Sequence, residues 1–130
     1  MNRHASLVVH GLIGWAICGA TIAIGRQVVS MQATLWIHAA VAPVAFALLT
    51  AHHFSRFPSS SPARTALVML AVVVGLDAGL VAPVVERSYA MFRSVLGTWV
   101  PFASIVLASY WTGRGSRQAS QVETARTLAH

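Results

Sequence analysis

Apolar residues run along this chain in four long blocks, separated by short polar or charged stretches. The blocks cover residues 5–25, 31–54, 65–85 and 90–112. Each comes close to the ~20 residues an α-helix needs to cross ~30 Å of hydrocarbon. In hydrocarbon every backbone N–H and C=O must be paired within its own segment, so the pattern predicts four transmembrane helices. Arg26-Gln27 interrupt the first block, a polar loop over residues 55–62 follows the second, and Glu86-Arg87 close the third. Ser30, Ser61 and Ser88 stand where helix N-caps would fall, and Pro62 suits a first helical turn. The expected fold class is all-α, a polytopic membrane protein whose four-helix bundle takes residues 1–113. Residues 114–130 read as a polar tail, either frayed or a short interfacial helix. The first block is too long for a signal peptide, carries His10, and is followed by three more blocks.

Composition agrees with this reading and narrows it. Hydrophobic residues make up 56% of the 130, and charged ones only 9%, against about 25% in soluble domains. A soluble fold of this size could not cover its surface with so few charges. The nine basic residues are all arginine, and the net charge is +6. In a soluble chain that excess would suggest nucleic acid, but here the arginines sit singly at block ends, where they set topology. The expected partner is the lipid bilayer and not nucleic acid. Six arginines (Arg3, Arg56, Arg64, Arg114, Arg117 and Arg126) fall on one side and three (Arg26, Arg87 and Arg93) on the other. That bias puts both termini in the cytoplasm. Arginine-only basic usage with abundant Ala and Val fits a GC-rich bacterial genome, hence the inner (cytoplasmic) membrane. The single cysteine, Cys18, forms no internal disulfide and reads as a small buried hydrophobe.

Ionisable and polar groups at depth are the informative residues in such a chain, because they cost several kcal/mol unless paired. At 1.5 Å per residue, His38 falls about 10 Å below the outer surface and Asp77 about 13 Å. Arg93 falls at about 6 Å and Trp99 at about 15 Å on the fourth block, with Thr98 beside it. Residues from three helices thus share one depth band. The functional expectation is a polar pocket open to the outer face, with Asp77 as charge acceptor or proton carrier. His38 would be its titratable partner and Arg93 an anion clamp or counter-ion. The plainer alternative is a hydrogen-bond cluster that only fixes helix packing, with Arg93 snorkelling to the interface.

A second group lies toward the cytoplasm, with His10 on the first block and His52 and His53 ending the second. His38 and His52 are 14 residues apart, nearly on one helix face, as in membrane helices that hold stacked haems. Such ligation needs a facing histidine for each haem, and the third and fourth blocks have none. A single haem between His10 and His52, or a metal held by His10, His52 and His53, stays a weak alternative to wet interfacial imidazoles. No cofactor is the expectation. Gly75 and Gly79 form a small-xxx-small pair, and at about 100° per residue Asp77 points away from their face. If Asp77 faces the bundle interior, the glycines face another helix, within the bundle or across a dimer, where backbones approach closely. No nucleophile elbow, Walker loop, zincin or Cys-x-x-Cys signature is present, so nothing argues for hydrolysis or phosphoryl transfer.

Two strings carry a resemblance. His10-Gly11-Leu12-Ile13-Gly14-Trp15 with Cys18-Gly19 is one; Glu86-Arg87-Ser88-Tyr89-Ala90-Met91-Phe92, running into Leu96-Gly97-Thr98-Trp99-Val100-Pro101-Phe102, is the other. They resemble segments of a group of small four-helix bacterial membrane proteins, over most of residues 8–113. The resemblance implies the architecture and brings no activity, cofactor or site residue with it. The chain is unlike small multidrug exporters, which place a coupling glutamate in the first helix; here that helix has no carboxylate. Three functions follow as expectations: a transporter or transporter accessory with an intramembrane ligand or proton site, a non-catalytic subunit of a larger complex, and a membrane enzyme using His38 and Asp77 as acid and base on a lipid-like substrate.

Overall fold

A computed structural model describes all 130 residues, and it is all helix. Helix α1 spans Arg3–Val28 and α2 spans Met31–Arg56. Helix α3 spans Pro62–Leu76 and runs on as a π-helical segment, Asp77–Val85. A 3₁₀ turn at Ala90–Arg93 and a π-helical turn at Val95–Trp99 lead into α4, Val100–Leu128. Four helical stretches, Arg3–Val28, Met31–Arg56, Pro62–Val85 and Val95–Leu128, are long and apolar enough to cross a membrane. In the bundle, α1 packs against α2 and α3, and α4 packs against the same two helices, so α1 and α4 take opposite corners.

The caps follow the sequence closely at two of three sites. Ser30 accepts from the Ala33 N–H and Ser61 from the Arg64 N–H. Ser88 does not cap the fourth span. Ser94 does, accepting from the Gly97 N–H, because Ala90–Arg93 folds as a separate turn. The fourth span therefore starts at Val95 and not at residue 90. The helix itself does not stop at residue 112. Arg, Gln, Ala and Glu after Gly115 are good helix formers, and α4 continues unbroken to Leu128. The polar tail is an extension of the last helix, neither frayed nor a separate interfacial helix.

Pro83 explains part of the irregular third span. Proline has no N–H, so the Ala78 carbonyl, five residues earlier, lacks its π-helical donor. Tyr89, in the following turn, donates its hydroxyl to Ala78 O at 3.2 Å and fills the gap. Arg87 makes the reversal with φ of 53°, the one non-glycine residue in the left-handed region.

The core is narrow. Leu7, Phe46, Met69, Val73, Phe102 and Ile105 form its centre with Ala42 and Cys18. Only 26 of 130 residues are buried, and large apolar side chains face outward on all four helices, among them Ile24, Trp36, Leu48, Leu67, Leu107 and Trp111. That is the surface of a bundle whose solvent is hydrocarbon. Close approach inside depends on glycine at a few points, most tightly at Gly14, where a Cβ would collide with the Phe46 ring. Gly14→Ala should therefore destabilise the bundle by about 1–3 kcal/mol through overpacking. Gly75→Ala, with open space around it, should be neutral or gain up to about 1 kcal/mol from helix propensity. Thermal unfolding of both variants in one mild detergent checks the contrast.

Candidate functional site

A mainly apolar cavity of about 280 Å³ lies between the helices, in the half of the bundle that holds the α1–α2 turn. One stripe of α1 forms a wall: Trp15, Cys18, Gly19, Ile22 and Arg26, spaced as one helical face. His38 of α2 and Asp77, at the junction of α3 with its π-helical extension, line the same space. The side-chain carboxylate of Asp77 accepts from the Trp15 indole N–H at 3.0 Å. Asp77 thus faces inward, as its cost in hydrocarbon requires. Arg26 and Glu86, each nearly half exposed and also lining the cavity, form an ion pair of 3.5 Å at its solvent side. His38 is 5% exposed, and its Nδ1 is buried with no hydrogen-bond partner.

The residues expected around Asp77 divide sharply. His38 shares its cavity, though no hydrogen bond joins the two side chains. Arg93 lies exposed on the 3₁₀ turn and makes no ion pair. Thr98 is buried but donates its hydroxyl to Met91 O at 2.6 Å, and Trp99 is 53% exposed with its indole N–H on Phe92 O at 2.8 Å. Both pin the 3₁₀ turn onto the start of the last span. The physical cause is the shifted helix start: counting depth from residue 90 assumed one straight helix, and the turn with its Ser94 cap removes that premise. The partner missed by sequence reasoning is Trp15. A buried indole N–H needs an acceptor, and Trp15 lies at about the same depth as Asp77, counting back from the end of the first block.

Around Gly75 and Gly79 no other atom of the chain comes within 4 Å of the place a Cβ would occupy, so they pack against no other helix of this chain. Their face points away from the bundle, opposite Asp77, as the helical geometry requires.

The histidines at the other end of the bundle do come together. His10 Nδ1 lies 2.7 Å from the carbonyl oxygen of Ser6, which can only accept, so that nitrogen carries the proton. His10 Nε2 is then the acceptor for the His52 Nδ1–H at 2.8 Å. Ser6 Oγ is 3.0 Å from His53 Nδ1, and His53 Nε2 is 3.1 Å from Ser60 Oγ. Ser6, His53 and Ser60 thus form one buried hydrogen-bonded chain, running in the direction the His53 tautomer sets. The rings of His10 and His52, with centroids 5.1 Å apart and nitrogens in direct hydrogen bond, leave no gap for a haem between them. Nor do three metal-binding side chains gather anywhere in a geometry that could hold an ion. These histidines form a hydrogen-bond network.

No known protein family matches the chain, and no curated protein or solved structure is detectably similar to it.

Proposed function

We propose that the chain is a small multi-pass protein of the bacterial inner membrane, with both termini in the cytoplasm, whose cavity binds a small cation or carries a proton. The role would be that of a transporter or transporter accessory. The observation that carries this reading is Asp77, held by Trp15 on the wall of a cavity that His38 also lines. Arg26 is matched by Glu86 at the solvent side. That leaves the Asp77 carboxylate without an opposite charge beside it, and a cation or a proton is its complement. A carboxylate built only to fix packing would have no need of a cavity. The acid–base enzyme reading draws no support from a His38–Asp77 contact.

Thermal unfolding of the detergent-purified protein tests the cation arm, and dye-reported proton uptake in proteoliposomes tests the proton arm. Wild type should show saturable stabilisation by a small organic cation such as tetramethylammonium over sodium, or proton movement above empty liposomes. Asp77→Asn should abolish the effect while leaving the fold intact. Trp15→Phe, which removes the donor and keeps a ring, should weaken it about tenfold, the value of one hydrogen bond to a charged group. Neither signal in wild type, or either signal surviving in Asp77→Asn, would end the proposal.

Topology follows from the arginine bias and is tested by reporter fusions. A periplasm-only reporter should be active at residue 28 and silent at residue 60, and activity at residue 60 would reverse the assignment.

The second reading, a non-catalytic subunit or homodimer, draws on the outward face of Gly75 and Gly79, where a partner backbone would meet no side chain. Leucine at both positions should then convert an oligomer to monomer in mild detergent. Unchanged migration would remove this reading.

A further inference from the structure

At the opposite end of the bundle from the Asp77 cavity lies a smaller recess of about 110 Å³, between the start of α1 and the start of α3. Six of its seven lining residues carry a side-chain hydrogen-bond donor. Arg3 and Arg64 supply two guanidinium groups, and neither is paired with a carboxylate. Ser59, Ser60, Ser61 and Thr65 supply four hydroxyls, with Leu7 as the apolar floor. The recess sits at the N-terminus of α3, where backbone dipoles add positive potential.

Thr65 is the decisive residue. It is 1% exposed, and its Oγ1 is buried without a hydrogen-bond partner, a state that costs about 1–3 kcal/mol if nothing fills it. Two of the serines are held in place by hydrogen bonds. Ser61 Oγ already accepts from the Arg64 N–H, so its own proton is free. Ser60 Oγ lies 3.1 Å from His53 Nε2 in the histidine network, which holds it at the wall of the recess. A buried hydroxyl without a partner, three serines and two guanidiniums without a carboxylate partner (Arg64 lies 3.5 Å from His4 Nδ1) line one small space that contains no carboxylate.

We infer that this recess binds an anionic phosphate group. A tetrahedral oxyanion offers acceptor oxygens in several directions at once, which suits hydroxyls on different walls better than a planar carboxylate does. Guanidinium groups pair with phosphate through charge-assisted, often bidentate, hydrogen bonds. The recess lies where three apolar spans begin or end, at the level where a bilayer carries its headgroup phosphates. An anionic phospholipid is therefore the favoured source, and inorganic phosphate shares the same chemistry. The inference does not depend on the Asp77 reading, because the two sites lie at opposite ends and share no residue.

The test uses the full chain in a neutral detergent, with thermal unfolding as readout. Short-chain phosphatidylglycerol should stabilise the protein saturably, and short-chain phosphatidylcholine, whose phosphate is already neutralised by choline, should not. Thr65→Val keeps the shape and deletes the hydroxyl. It should weaken phosphatidylglycerol binding about tenfold while the melting temperature without lipid holds or rises. Arg3→Gln with Arg64→Gln should weaken it about a hundredfold, and Arg114→Gln with Arg117→Gln should change it by less than about twofold. Competition by inorganic phosphate would show that the phosphate group alone is recognised, and its failure to compete would show that the lipid is needed. The inference is overturned if both lipids stabilise alike. It is also overturned if Thr65→Val binds as wild type, or if both arginine pairs weaken binding equally, since either result would mean diffuse surface charge and no built site.

Discussion

A carboxylate halfway along an apolar helix has to be supplied with a donor from inside the bundle, and much of this architecture follows from how Trp15 meets that need. The indole N–H reaches Asp77 across the α1–α3 contact. This places α1 beside α3 with one stripe, from Trp15 to Arg26, facing the carboxylate. The opposite face of α3, with Gly75 and Gly79, is thereby turned outward. Helix rotation in a bundle of apolar surfaces is weakly specified by packing alone, because hydrocarbon is as apolar as leucine. A directional hydrogen bond such as Trp15–Asp77 fixes the facing of both helices once they are neighbours.

The same demand shapes the chain where regular helix fails. Pro83 withholds a donor from the third span, and the Tyr89 hydroxyl replaces it from the next turn. Thr98 and Trp99 then satisfy carbonyl groups of the turn at Ala90–Arg93, and Ser94 caps the segment that follows it. The conspicuous polar residues of this region are thus occupied in holding an irregular connection closed. That leaves the cavity to the groups not so occupied, namely Asp77 and His38. π-helical turns frequently accompany functional sites, and here one begins at Asp77 itself.

The two ends of the bundle differ in chemistry. Beside Arg26 and Glu86 the cavity is mainly apolar, with a few isolated polar groups. At the other end histidines and serines are joined by hydrogen bonds, His52 to His10 and Ser6 through His53 to Ser60. This network ties the start of α1 to the end of α2 and to the loop before α3. It holds Ser60, one of the hydroxyl groups that the proposed phosphate recess would use.

Four apolar blocks of spanning length with few charges leave little choice of architecture, so the four helices, two of the caps and the inward direction of Asp77 were all legible from residue order. Those properties are local or follow from the cost of burying charge, and neither requires knowing which helix stands beside which. Partner identity does require it. Arg93, Thr98 and Trp99 share a depth with Asp77 if the helix is straight, but a short 3₁₀ turn moved its start, and a one-turn displacement changes both depth and facing direction. Trp15 and Asp77 lie 62 residues apart, and Ser60 and Thr65 meet Arg3 across a comparable length of chain. Which lateral neighbours the helices take, α1 with α3 and not with α4, is a property of packing among near-equivalent apolar surfaces. Apolar patterning carries almost no information about that choice, so only the tertiary structure decided it.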